Sequence, residues 1–207
     1  MWSKRIVLIG LTTFWFIPNA FAQDVPGTRT GTVELGALLG ASYGTDNFRV
    51  MGGGNVSYAL SSVFLPYVEF SYFPGLPRQA TKQGDTLVTT DYSLPLYDFH
   101  GGLHVAIPLP SRRIVPYGVV GIGVIHNLAT TYQFNYTILG KPQTDNVTVS
   151  PANNVAANFG GGLRLYLNEH FGLRFEGKAY KVAGDVTHGV FSKYEFGVFY
   201  QTVHRTH

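Results

Sequence analysis

Read for a period of two, the chain holds eight segments in which one parity is apolar and the other polar or small. In Thr32–Ala41, residues Val33, Leu35, Ala37 and Leu39 share a face opposite Glu34. Arg49–Leu60 sets Val50, Val56, Tyr58 and Leu60 against Asn55 and Ser57, and Leu65–Phe73 sets Val68, Phe70 and Tyr72 against Glu69 and Ser71. In Tyr92–Ile107, residues Tyr97, Phe99, Leu103, Val105 and Ile107 oppose Asp98, His100 and His104. Ile114–Ile125 is apolar on both parities, and we read Val120, Ile122 and Val124 as outside and Tyr117, Gly121 and Gly123 as inside. Val155–Tyr166 places Val155, Ala157, Phe159, Leu163 and Leu165 against Asn158, Gly160, Gly162 and Arg164. The alternation is plainest in Phe171–Tyr180, where Phe171, Leu173, Phe175 and Ala179 oppose Arg174, Glu176 and Lys178. Lys193–Gln201 closes the series, with Tyr194, Phe196, Val198 and Tyr200 against Lys193 and Glu195.

The direction each face looks decides the fold. A soluble sandwich or ligand-carrying barrel turns its apolar parity inward and leaves charge in water, whereas a membrane barrel does the reverse. The apolar faces are large and nearly free of polar atoms, and the opposite faces mix charge with the small residues that a narrow interior needs. The charges on those faces also balance: Glu34, Glu69, Asp98, Glu176 and Glu195 against Arg164, Arg174, Lys178 and Lys193, with His100 and His104 on the same parity. Charges enclosed in a narrow lumen must pair, because unpaired buried charge is costly. The sequence therefore predicts an all-β fold, an eight-stranded antiparallel up-and-down transmembrane β-barrel with those residues as its lumen network.

The connections fit this topology. Ser61–Phe64, Pro108–Arg113 and Leu167–His170 are short, while Ser42–Phe48, Pro74–Asp91, His126–Asn154 and Lys181–Ser192 are longer and polar. Short turns on one side of the membrane and long loops on the other are usual for such barrels. Leu65-Pro66-Tyr67-Val68 and Val115-Pro116-Tyr117-Gly118 each open an upward strand, where proline is tolerated.

The N-terminus sets the compartment. Lys4 and Arg5 precede an apolar run from Ile6 to Ile17, Pro18 interrupts it, and Ala20-Phe21-Ala22 supplies a small-x-small cleavage site. Residues 1–22 are expected to be a signal peptide cut between Ala22 and Gln23, leaving 23–207 as one barrel domain. The run is shorter than the roughly 17–25 residues of a membrane-spanning helix. Its removal takes Lys4 and Arg5 with it, so the net charge of +3 shrinks and no basic stripe for nucleic acid remains. The absence of cysteine excludes disulfides and thiolate metal sites. High glycine (25), phenylalanine (15) and tyrosine (13) with only 13% charged residues suits strands that close a barrel in lipid.

The stretch Asn158-Phe159-Gly160-Gly161-Gly162-Leu163-Arg164, the turn Leu167-Asn168-Glu169-His170 and the strand Phe171-Gly172-Leu173-Arg174-Phe175-Glu176 resemble the penultimate hairpin of the small OmpA/OmpX-like outer-membrane barrels. The resemblance spans about Thr32 to Gln201. It implies a location in the outer membrane of a Gram-negative envelope, contact with outer-membrane lipid, and a monomer. Tyr194 to Tyr200, with its alternating aromatics, is similar to the C-terminal signal read by the barrel-assembly machinery, although here Thr202 to His207 follow it. Members of the family include anchors, adhesion factors and small-solute channels, so the fold alone does not fix a role.

His100 and His104 lie four apart on one strand face, about 13 Å at roughly 3.3 Å per residue, too far to share one metal. His126-Asn127-Leu128 lacks the serine that a lipid hydrolase would place beside its base. The runs Gly52-Gly53-Gly54 and Gly160-Gly161-Gly162 sit in strand patterns with no helix following, so phosphate-loop geometry is missing. Glu176 and Glu195 could form an acid/base pair, but Arg174, Lys178 and Lys193 beside them favour a salt-bridge network. No catalytic, cofactor or metal residue is assigned. The expectation is a non-enzymatic structural or surface-interaction protein whose long loops Pro74–Asp91 and His126–Asn154 face outward toward an external ligand or partner. The alternatives are a narrow pore or conduit for small apolar molecules and a lipid A-modifying enzyme.

Overall fold

The structure is a computed structural model, and it describes residues 27–44, 49–75, 82–83, 86–87, 94–111, 113–138, 141–183 and 190–202. The expected signal peptide and residues 203–207 of the tail lie outside them. Strands are β1 (Val33–Tyr43), β2 (Arg49–Tyr58), β3 (Phe64–Phe73), β4 (Lys82–Gln83), β5 (Thr86–Leu87), β6 (Leu96–Ala106), β7 (Ile114–Asn127), β8 (Thr130–Ile138), β9 (Lys141–Val149), β10 (Ala152–Tyr166), β11 (Phe171–Val182) and β12 (Val190–Gln201). Eight of these close a barrel in the order β1-β12-β11-β10-β7-β6-β3-β2, every neighbouring pair antiparallel. Closure comes from β1 against β12, Glu34↔Gln201 through Tyr43↔Ser192, so no ladder edge of the barrel is left without a partner.

Alternation explains the wall. Leu35, Leu39, Val68, Phe99, Val120, Ile122, Phe159, Phe175, Tyr194, Phe196 and Val198 are all exposed on the outside, Phe159 at 65%. The parity of the fifth barrel strand, β7, is as read from sequence: Val120, Ile122 and Val124 outside, Tyr117 buried within. Interior glycines keep the lumen narrow where strands press close. A Cβ at Gly123 would lie 1.9 Å from the Phe99 carbonyl oxygen, so no larger residue fits without moving backbone.

The short turns are closed locally. Ser61 Oγ accepts from the amides of Val63 (3.2 Å) and Phe64 (3.0 Å). Asn168 Oδ1 accepts from the amides of His170 and Phe171, each at 2.8 Å. Both are side-chain turns that fix the chain reversal.

The strand ends differ from the sequence reading by one to four residues at several places. β11, β12 and the pair β7 and β10 run farther toward the long-loop end, and the polar connection His126–Asn154 contains a second hairpin, β8–β9. That hairpin belongs to a four-stranded sheet, β5-β4-β8-β9, outside the barrel ladder. The fourth barrel strand runs only from Leu96 to Ala106, so Leu94, Pro95 and Ile107 of the segment read as Tyr92–Ile107 are not strand, and its residues 92–93 lie outside the described residues.

Candidate functional site

Glu34, Glu69, Asp98, His100, His104, Arg164, Arg174, Glu176, Lys178, Lys193 and Glu195 are all buried, and parity turns each into the lumen. The centre is built on two lysines. Lys178 Nζ lies 2.8 Å from Glu69, 2.6 Å from Glu176 and 3.0 Å from Glu195. Lys193 Nζ lies 2.8 Å from Glu69, 2.8 Å from Glu195 and 3.1 Å from Asp98, and donates to Ser71 Oγ at 2.7 Å. Arg174 adds longer contacts to Glu69 (3.6 Å) and Glu176 (3.9 Å).

From this centre the network runs both ways along the barrel. Toward the long loops, Asp98 meets His100 Nδ1, and His100 Nε2 donates to the Ala156 carbonyl at 3.2 Å. Toward the short turns, Tyr117 donates to Glu176, and His104 Nε2 lies 3.4 Å from the same carboxylate. Arg164 donates to His104 Nδ1 at 2.7 Å and its Nε lies 3.3 Å from Glu34. Because a guanidinium can only donate, His104 Nδ1 is the acceptor and its ring proton faces Glu176. Glu34 accepts from Ser57 (3.2 Å) and Tyr166 (3.3 Å), and Tyr166 is tied to Thr28 at 2.7 Å.

Apolar layers lie above and below these ions. Ala59, Leu65, Ala106, Val115, Tyr166 and Phe199 pack together at the short-turn end. Ile125, Ala156, Tyr180 and Phe191, with Leu38, Met51 and Phe73 in a neighbouring cluster, pack at the long-loop end, and Leu96 touches both clusters. The central lysines and their acids therefore lie between apolar clusters toward the two ends of the barrel, where electrostatic attraction is strong and any lost partner is expensive.

Carboxylate oxygens of Glu69, Glu176 and Glu195 converge within 4.8 Å, but lysine ammonium groups already occupy the space between them as counter-cations. His100 and His104 have separate partners, Asp98 and Arg164, and His104 stacks on Tyr67 at 4.2 Å. His126 faces outward near the rim, bonded to Asn153 at 2.7 Å and stacked on Tyr97, with no serine among those contacts. A groove of about 400 Å³ is bounded by Gly161, Leu163, Phe175, Gly177 and Tyr194, whose parity is that of the outer wall.

Sequence reasoning missed Arg49. It is buried at the long-loop end and donates to the Leu94 carbonyl at 3.2 Å. Its parity with Asn55 and Ser57 was the available signal. With Arg49 included, the buried charges among the described residues number five acids (Glu34, Glu69, Asp98, Glu176, Glu195) and five bases (Arg49, Arg164, Arg174, Lys178, Lys193). Tyr117 and Tyr166 also join the network as uncharged donors, and Ser71 and Tyr180 as acceptors from Lys193, which no charge count would reveal.

No family model matches the chain, and no curated protein matches it in sequence. Solved structures do resemble it. The N-terminal β-barrel domain of Pseudomonas aeruginosa OprF gives a TM-score of 0.47 at 15% identity, covering 84% of this chain and 100% of that one. Ail, the attachment invasion locus protein of Yersinia pestis, gives 0.49 at 12%, with 84% and 99% covered. Neisserial surface protein A gives 0.49 at 9%, with 83% and 95% covered. Ail has also been solved in complex with the heparin analogue sucrose octasulfate. The likeness at these identities is one of fold, and the fold this chain is similar to is that of the small outer-membrane β-barrels.

Proposed function

We propose that this chain is an integral outer-membrane barrel with a plugged, salt-bridged lumen, acting as a structural or surface-interaction protein rather than an enzyme or an open channel. The observation that carries this reading is the inside-out distribution of polarity. Exposed Leu, Val, Ile, Phe and Tyr side chains cover the wall while the described buried ions lie inside. In water such a wall would be an aggregation surface, whereas in hydrocarbon it is the solvated face. In this reading residues 1–22 direct export and are removed after Ala22, and Tyr194–Tyr200 on β12 presents the assembly signal. The short-turn end faces the periplasm, and the long-loop end, with the β8–β9 hairpin, faces outward.

The lumen residues serve as a rigid brace. Lys178 and Lys193 each reach acids from three strands, so β3, β11 and β12 are clamped together, with β6 joined through Asp98. Cell fractionation followed by electrophoresis of heated and unheated samples tests the reading. The protein should be found in the outer-membrane fraction and shift in migration on heating. A processed chain that stays in aqueous fractions without detergent overturns it.

A further inference from the structure

The outside of the barrel carries one charge. Among the outward positions of the eight barrel strands, Lys181 on β11 is the sole lysine, arginine or carboxylate residue. It is exposed, its cross-strand neighbours Ala157 and Val190 are exposed with it, and it forms no ion pair among the described residues. Phe171 holds the same parity at the other end of β11. The intervening rise, roughly 3.3 Å per residue at a tilt of about 40°, carries the chain about 25 Å along the membrane normal, the height of the apolar band of such barrels. Lys181 therefore stands at the outer margin of that band, at the depth of lipid headgroups.

Below Lys181 the wall is hollowed. Outward positions of β11 run Lys181, Ala179, Gly177 and Phe175 toward the short turns. Gly177 pairs with Gly161 on one side and Tyr194 on the other, and the groove of about 400 Å³ lies over them. Its floor is the two glycines, and the exposed side chains of Phe159, Phe175 and Tyr194 rise around it. The barrel itself does not require a glycine at 177. A Cβ there would meet the Tyr194 ring at 3.5 Å, an ordinary contact, and no other atom within 4 Å. Glycine inside a strand weakens it, so the open space is kept at a cost that wall packing does not explain. From Gly177 to Lys181 the strand rises about 13 Å, which puts the groove at acyl-chain depth beneath a headgroup-level cation.

We propose that Lys181 and this groove together bind one anionic glycerophospholipid, its phosphodiester at the ammonium group and one acyl chain along Ala179 and Gly177. This rests on the reading that the outer wall meets hydrocarbon. Charge selects the headgroup. A lysine is a compact point charge for phosphate, and a single lysine matches a phosphodiester of single charge. A lipid bearing several phosphates would leave all but one unmatched. The outward positions of the eight strands carry no carboxylate to meet the ammonium of a zwitterionic headgroup. Shape selects the tail. A flexible alkyl chain can lie on the glycine floor and gain close contact along its length, which is what drives association in lipid. The rigid wall of a second barrel is held off that floor by Phe159, Phe175 and Tyr194.

The test uses the full processed chain folded in non-ionic detergent micelles. Phosphatidylglycerol, phosphatidylcholine and lipid A are added one at a time, and lipid retained per barrel is read by native mass spectrometry. One phosphatidylglycerol should be held, at least about fivefold more tightly than phosphatidylcholine. Lys181→Gln should abolish that preference, and Gly177→Leu should weaken phosphatidylglycerol at least about fivefold. Gly52→Leu, at an outward glycine of β2 whose Cβ would meet nothing closer than 3.8 Å, should leave it within about twofold. Equal retention of the two phospholipids, parent-like binding by Lys181→Gln or Gly177→Leu, tighter binding of lipid A, or barrel dimers that Gly177→Leu disperses would each overturn the site. Heat-dependent migration is run on every sample, and Lys181→Gln alone decides if Gly177→Leu lacks the shift. A parent lacking it overturns the reading of the wall and the lipid site with it, while a shifted parent that holds both phospholipids equally overturns the site alone.

Discussion

Gly118 and Gly123 lie on the same strand and tolerate opposite things. A Cβ at Gly118 meets nothing within 4 Å, whereas one at Gly123 meets the Phe99 oxygen at 1.9 Å and His100 Cα at 2.7 Å. We expect Gly118→Ala to be neutral or to stabilise by up to about 1 kcal/mol, by restricting the unfolded chain. Gly123→Ala should cost about 1–3 kcal/mol through overpacking. Urea titration of the two variants, followed by loss of the folded gel band, separates them. Lys178 makes the same argument for charge. Lys178→Met leaves the buried Glu69, Glu176 and Glu195 with one fewer cation and should cost about 3–5 kcal/mol in the same assay. On the outer wall, Phe175→Arg puts a cation against hydrocarbon beside Phe196, 4.9 Å away ring to ring, and should cost about 2–4 kcal/mol.

Strands whose two faces meet different surroundings were legible in the sequence, because that difference forces alternation. β11 is the plainest case, with Phe175 half-exposed and Arg174 and Glu176 buried on either side. Even β7, apolar on both parities, was readable, since Tyr117, Gly121 and Gly123 stand among its interior positions while Val120, Ile122 and Val124 stand outside. β9 was not readable. Its sequence Lys-Pro-Gln-Thr-Asp-Asn-Val-Thr-Val is solvated on both parities, so nothing imposes a period of two, and Pro142 reads as a breaker. The alternation of Tyr132, Phe134 and Tyr136 on β8 was present but fell inside what looked like a polar loop. Residue partners within the lumen were beyond the sequence for another reason: Glu69 meets Lys178 and Lys193 from across the barrel, and that register is set by closure. If the β8–β9 hairpin adds nothing to the barrel, replacing residues 130–149 with a short turn should leave heat-dependent migration and urea midpoint unchanged. A lowered midpoint would show that the hairpin braces β7 and β10.

At the scale of the molecule, the proposed plugged lumen would make the barrel a rod rather than a pipe. Planar bilayers containing the protein should stay silent, and stepwise conductance would contradict the plugged lumen. The outer wall must meet hydrocarbon for this arrangement to be stable. Both tryptophans, Trp2 and Trp15, fall in the segment expected to be removed, so Phe175→Trp would give the processed chain a single reporter on that wall. Folded into vesicles whose acyl chains carry bromine, this variant should show blue-shifted emission that the brominated lipid strongly quenches. Emission at the position of water-exposed tryptophan, untouched by bromine, would contradict the orientation on which the account rests.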